Sequence, residues 1–432
     1  MSDDIPERWA LIPDRWALIP DRIWDGHRII ERHALMIDGD RITSIQPGSP
    51  SGVRRVEVQG TAVPGLIDSH VHLADWMLPG LLAAGVTTVR DTGNRLDWIL
   101  ERRRRTTEDP TSGPTILCTG PLLDGEQAWW PTIGRSHVDV EAIRMSVREL
   151  AAAGVDAVKL YVNVTPAQIA AAVETARGVG LDVLAHLGVS SLAEALAGGV
   201  AELEHLSGCV HHVDGPTVPA DETADIAERL LAAGTTLCPT LVVWDRLATV
   251  NDMVFANDRR REWVHPGILD AWSRFPHRTG SAEERLARQG SAVAMKSILQ
   301  TLHAAGCRVI AGSDAPWPNI VPGFGLHDEL ALMVDAGLRP HEALAAATVH
   351  AAAALGVGDQ VGALAPGYRA DVVVVRADPL VDILALGDIR LVVRAGRPLD
   401  VDEIRLRMGT FDGWEDDPVS ELILHQAGVP AS

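Results

Sequence analysis

The chain has 432 residues, 47% hydrophobic and 22% charged, an ordinary globular balance with room for one large domain and a smaller one. Asp and Glu number 58 against 38 Lys and Arg, and the resulting formal charge of −20 argues against a phosphate backbone as partner. No stretch approaches the ~20 uninterrupted apolar residues of a membrane span. The four cysteines (Cys118, Cys209, Cys238, Cys307) form no CxxC pair, which fits free thiols in a reducing cytoplasm.

The opening "MSDDIPERWA" is acidic and lacks an apolar core, so no secretory signal is expected in it. "RWALIPD" at 8–14 recurs unchanged at 15–21, too short a period and too few copies for a solenoid. The following "RIWDGHRIIERHALMIDGDRITSIQPG" reads as short strands with turns at Asp25-Gly26 and Asp38-Gly39.

From residue 64 the rhythm changes. Eight apolar runs alternate with helical stretches: "GLIDSHVHL", "GVTTVRD", "TILCTG", "VDAVKLYV", "LDVLAHL", "VAELEHL", "TTLCPTL" and "CRVIAGSD". Near-continuous apolar strands alternating with helices predict a parallel sheet, and eight such units predict an α/β fold of the (β/α)8 TIM-like barrel type. The connection between Leu241 and Leu302 is longer than a usual βα loop, and a helical lid is expected there. "GALAPGYRADVVVVRADPL" and "IRLVVRAGRPL" return to strand-like sequence. Neither chain end could bury a core alone, so residues 1–63 and 359–432 are expected to form a small composite β domain, plus a tail, beside a barrel spanning 64–358.

Within "PGLIDSHVHL", His70 and His72 are two residues apart, so on a strand they face one space, with Asp68 on the same side. Two imidazoles aimed at one point suit a metal; a half-buried polar pair at a strand end is the bland alternative. The other predicted strand ends tilt the balance toward metal. They carry Lys159 (fourth), His186 (fifth), His205 (sixth) and Asp314 (eighth), and chemistry in such barrels sits at that end. Tryptophans follow the same strands: Trp76, Trp129 and Trp130, Trp244, and Trp317. Gathered at the mouth, they would form a pocket for an apolar or aromatic small molecule, with ordinary loop packing the other reading for any one of them. Tyr161 shares the face of Lys159 and could donate a hydrogen bond to a substrate oxygen or simply pack. His211 and His212 follow the sixth strand, where contact with substrate and a solvated loop are both open.

In order, "PGLIDSHVHL", "GVTTVRDTG", "VKLY", "AHLG", "LEHLSG", "AGSDA" and "GALAPGYRADVVVV" resemble the amidohydrolase superfamily, in its prolidase-like and imidazolonepropionase-like branch, over roughly residues 17–400. The resemblance implies a distorted barrel with a β-sandwich built from both chain ends. It implies that His70, His72 and Asp314 bind one divalent ion and His186 and His205 a second, with Lys159 bridging as a lysine carboxylated by CO2. An inward lysine paired with a carboxylate is the other reading of Lys159. Zinc suits such donors, with manganese, cobalt and iron open. Water made acidic between the ions would attack a carbonyl, with Asp314 as the base.

The family's deaminases carry a glutamate soon after the fifth- or sixth-strand histidine, which "HLGV" and "HLSG" lack, and its dipeptidases often read "HARAY" where this chain reads "HLGVSSL". The expected activity is therefore hydrolysis of an amide-type C–N bond other than an ordinary peptide bond. Lactone, carboxylester or organophosphate hydrolysis on the same site is the alternative, and a non-catalytic scaffold a remote one. The expected partners are a small-molecule substrate, without nucleic acid or membrane, with a homo-oligomer open. The expected location is the cytoplasm.

Overall fold

The computed structural model describes residues 13–209, 220–250, 253–275, 281–407 and 414–428. The second copy of the repeat begins a strand, Arg15–Trp24, which pairs in parallel with Arg54–Pro64 and antiparallel with His33–Asp38. The predicted turns both occur, with Gly26 and Gly39 at φ 109° and 58°. From the other end of the chain, Val372–Val375 pairs with Arg54–Pro64, and Ile389–Arg394 and Arg397–Leu399 extend the same sheet. Strand alternation gives this eight-stranded sheet two apolar faces. Trp16, Leu18, Leu35, Ile37, Val372, Val374, Leu391 and Val393 pack together as a core of their own. Val63, Val373, Val375 and Val392 belong instead to the large core of the barrel.

The barrel strands are Leu66–Val71, Val86–Asp91, Thr115–Cys118, Ala157–Leu160, Asp182–Ala185, Glu202–Glu204, Thr236–Cys238 and Arg308–Val309. The ladders within the first three strands and within the last five are parallel. Third and fourth strands are joined by Asp156 N donating to Cys118 O at 2.8 Å, and by the short strand Leu122–Leu123, which pairs with Leu160. The ring closes where Ser69 N donates to Ala311 O at 3.0 Å and Asp314 N to His70 O at 2.7 Å. These eight strands fall within the eight runs read from the sequence, so the parallel α/β barrel follows from the apolar pattern.

The long connection after the seventh strand is helical, running through Leu241–Thr249 and Pro266–Ser273 to the helix Ala282–Ala304. The tail holds a structured element, the helix Pro418–Gln426, which packs beside Pro266–Ser273 at the barrel mouth. Among the described residues, no helix is long and apolar enough to cross a membrane. All four cysteines are free and buried.

Candidate metal centre

His70, His72, Lys159, His186, His205 and Asp314 line one cavity of about 240 Å³ at the C-terminal ends of the strands. His70 Nε2 and His72 Nε2 each lie 3.4 Å from Asp314 Oδ1. The imidazoles of His70 and His205 are 4.7 Å apart between centroids, and those of His186 and His205 4.5 Å apart.

Three of the four rings are fixed through Nδ1, which meets Glu204 Oε2 at 2.7 Å in His70, Gly93 O at 3.0 Å in His72 and Thr240 Oγ1 at 2.6 Å in His205. Holding one nitrogen presents the other, the arrangement seen in metal-ligating histidines. Tight backbone approach sets this geometry. A Cβ on Gly312 would come within 2.6 Å of both His70 Cβ and Cys238 Sγ, so any side chain there would push His70 off the cluster. Asp68 does not join the cluster. It accepts from Ser313 N at 2.9 Å and Ser313 Oγ at 2.6 Å, tying the first strand to the turn that carries Asp314.

The sixth strand carries more of the site than His205. Glu202 and Glu204 alternate inward with Leu203 between them; Glu202 forms a bidentate pair with Arg90 of the second strand, and Glu204 lies 3.6 Å from the same guanidinium. Strict alternation would turn His205 away from Glu204. Instead the strand ends at Glu204, and His205 and Leu206 take φ of 60° and 52°, a left-handed step that swings the imidazole into the mouth. Asp314 and Thr240 have φ of 56° and 45°. Such conformations cost roughly 1–3 kcal/mol each and concentrate at functional sites.

Lys159 is 1% exposed, and its Nζ lies 3.3 Å from Glu204 Oε1 without an aligned hydrogen bond. Burial holds its amine below the usual lysine range, although Glu204 opposes this. Burial and the neighbouring Lys159 cation push His186 down to about 3; burial and His186 hold His205 well below the usual imidazole range. Both rings are thus neutral, as ligands must be. Burial pulls His70 down as well, but the Glu204 carboxylate outweighs it and raises the ring to about 9. Burial alone would raise Asp314, yet the adjacent histidines keep it well below the usual carboxylate range. Burial pushes the Cys238 thiol up, so it stays neutral. His186 Nδ1, Lys159 Nζ and Glu204 Oε1 are buried without hydrogen-bond partners. Buried polar atoms rarely go unmatched. The neutral imidazoles of His186 and His205, the ionised Asp314 carboxylate and unmatched polar atoms around one point fit divalent metal.

Three of the five mouth tryptophans, Trp130, Trp244 and Trp317, line the cavity. Trp76 does not: it is fully buried and donates from Nε1 to Ser420 Oγ at 3.2 Å. Trp129 is 59% exposed and faces a separate surface hollow. A residue's place after a strand fixes its end of the barrel but not its direction. Tyr161 lines the cavity and accepts from Trp130 Nε1 at 2.7 Å. His211 and His212 lie outside the described residues. Val243, Leu247 and Phe275 from the long connection, and Val419, Leu422, Ile423 and Gln426 from the tail helix, also line it, with Ile133, Pro316 and Pro318.

A parallel barrel with a constellation of histidine, lysine and aspartate at its strand ends defines a class of metal-dependent enzymes. The Amidohydrolase family model matches residues 61–399, and the chain belongs to that family of hydrolases. It is 41% identical over 106 residues to an imidazolonepropionase of Symbiobacterium thermophilum, a match spanning 24% of each chain, about a quarter of the relative's length. Its fold is similar to a prolidase solved with N-methylphosphonate-L-proline (22% identity, TM-score 0.70, 89% of this chain and 99% of that one). It is also similar to a bottromycin amidohydrolase (25% identity, TM-score 0.72, 100% and 95%).

Proposed function

We propose that the protein hydrolyses an amide-type C–N bond, other than an ordinary peptide bond, in an apolar or aromatic small molecule. The observation carrying this reading is six ionisable strand-end groups on a cavity whose remaining lining is largely aromatic and aliphatic. Names such as imidazolonepropionase and prolidase among the relatives support the amide over the ester. His70, His72 and Asp314 would hold one divalent ion and His186 and His205 another, with carboxylated Lys159 between them; zinc suits these donors best. Such ions, when bound, acidify water and polarise a carbonyl.

The chain's own groups do the rest. Asp314, ionised and beside both leading histidines, would take the proton of the attacking water at a carboxylate oxygen and deliver it to the departing nitrogen. The Tyr161 oxygen already accepts from Trp130, so its hydroxyl hydrogen is free to donate to the carbonyl oxygen as charge builds there. Trp130, Trp244, Trp317 and Phe275 would hold the apolar part of the substrate and exclude water.

A panel of anilides and N-acyl aromatic amino acids, set against polar analogues of equal size and against lactones, esters and phosphotriesters, tests this. Aryl amides should show the highest kcat/KM, and Tyr161→Phe should lower kcat on them by about 10²-fold. A preference for the polar set, or for esters, would contradict the reading.

A further inference from the structure

The tail helix Pro418–Gln426 is built into the cavity. Its positions 419, 422, 423 and 426 follow the i, i+3, i+4, i+7 spacing of one helical face, and all four line the space. Buried polar contacts clamp its N-terminal end. Asp75 N donates to Asp417 Oδ2 at 2.9 Å, and Trp76 Nε1 donates to Ser420 Oγ. Arg102 holds Asp75 by two hydrogen bonds of 2.9 and 2.7 Å while lying over the Trp98 ring. Just before the helix, Trp414 stacks on His265 with centroids 4.4 Å apart. Asp417 and Ser420 are 3% and 0% exposed. A tail helix fixed in this way presents a rigid surface to whatever enters.

Gln426 is the one carboxamide in the lining described, and among the described residues it has no hydrogen-bond partner. A primary amide carries two donors and an acceptor. In a lining otherwise aliphatic and aromatic away from the ionisable cluster, it would read a carbonyl or N–H on the substrate.

We propose that the helix Pro418–Gln426 is the substrate-selecting wall of the site. Leu422 sets the size of the apolar group accepted, and Gln426 hydrogen-bonds a second amide in the non-reacting part of the molecule. The substrate class is thus a neutral aromatic amide carrying a further amide away from the scissile bond. This rests on the hydrolase reading given above.

Three probes test the wall: 4-nitroacetanilide, 3-phenylpropionyl-4-nitroanilide, and N-acetylphenylalanine 4-nitroanilide, which adds an acetamido group. For each, kcat/KM is measured, together with calorimetric affinity in wild type, Leu422→Ala, Leu422→Trp and Gln426→Leu. Leu422→Trp should lower the ratio of kcat/KM for the phenylalanine probe over 4-nitroacetanilide about 10-fold, with Leu422→Ala moving it the other way. Gln426→Leu should remove the advantage of the acetamido-bearing probe over phenylpropionyl, again about 10-fold.

If wild type binds the probes without cleaving them and affinities shift in these directions, the wall stands and the reaction assignment fails. If wild type cleaves them and all three variants keep its ratios and affinities, the wall is wrong and the reaction assignment stands. Absence of binding to wild type also overturns the proposal.

Discussion

Asp314→Asn is expected to lower kcat by about 10²- to 10⁴-fold, the range a positioned proton-transfer group contributes. The side chain is held for the task. Asp314 N donates to His70 O, and the adjacent Ser313 is gripped by Asp68, so the carboxylate stands beside both leading histidines. Those histidines outweigh the cost of burial and keep it ionised. An asparagine keeps the shape and one oxygen but cannot take the proton. Steady-state kinetics with metal content measured on the same preparation check this. Full turnover with metal retained would remove Asp314 from proton transfer.

Lys159→Ala should abolish turnover and reduce bound metal, with a loss of affinity beyond the about 10–100-fold typical of losing an outer partner of a metal ligand. The structure puts the amine where its chemistry can change. Burial, helped by the Arg90 cation, lowers the pKa of Lys159 against the pull of Glu204 and raises its neutral fraction. A neutral amine adds CO2 to give an anionic carbamate and release a proton, exchanging a poor ligand for one with two oxygens.

The rival role, a partner for Glu204, makes a different prediction. Removing the ammonium would leave a buried carboxylate short of one countercharge, with His70 and Arg90 still beside it, and metal binding would survive. Short carboxylic acids added to Lys159→Ala should restore activity in part on the carbamate reading. Wild type freed of metal and CO2 should recover only when bicarbonate returns with the metal.

The strand ends were legible because apolar runs and turn residues repeat eight times, and because chemistry in a parallel barrel has only one end to occupy. Histidine spacing in "DSHVHL" then gave the right face for His70 and His72. The sequence alone does not single out Glu202 and Glu204, although "AELEHL" places two glutamates on one face of a barrel strand, a costly arrangement unless paired. Their partner Arg90, in "GVTTVRD", sits on a strand distant in sequence, and only the closed barrel brings them together.

His205 entered the site for a reason alternation does not supply, the left-handed turn that ends its strand. The tail helix carries an amphipathic pattern in "PVSELILHQ", but nothing local says which surface its apolar face covers. That depends on Asp417 and Ser420 finding Asp75 and Trp76 more than three hundred residues away. Trp76 served as an anchor for this helix where the sequence suggested a substrate contact.

Metal stoichiometry, read by inductively coupled plasma mass spectrometry, tests the central claim most directly. It would be read on wild type and on a His70→Ala/His72→Ala variant, each dialysed against the same zinc buffer. Two divalent ions per wild-type chain, with a loss in the variant, are expected if six side chains from five strands hold a metal pair. Wild-type protein that retains no stoichiometric metal, or a variant that retains as much as wild type, would contradict it.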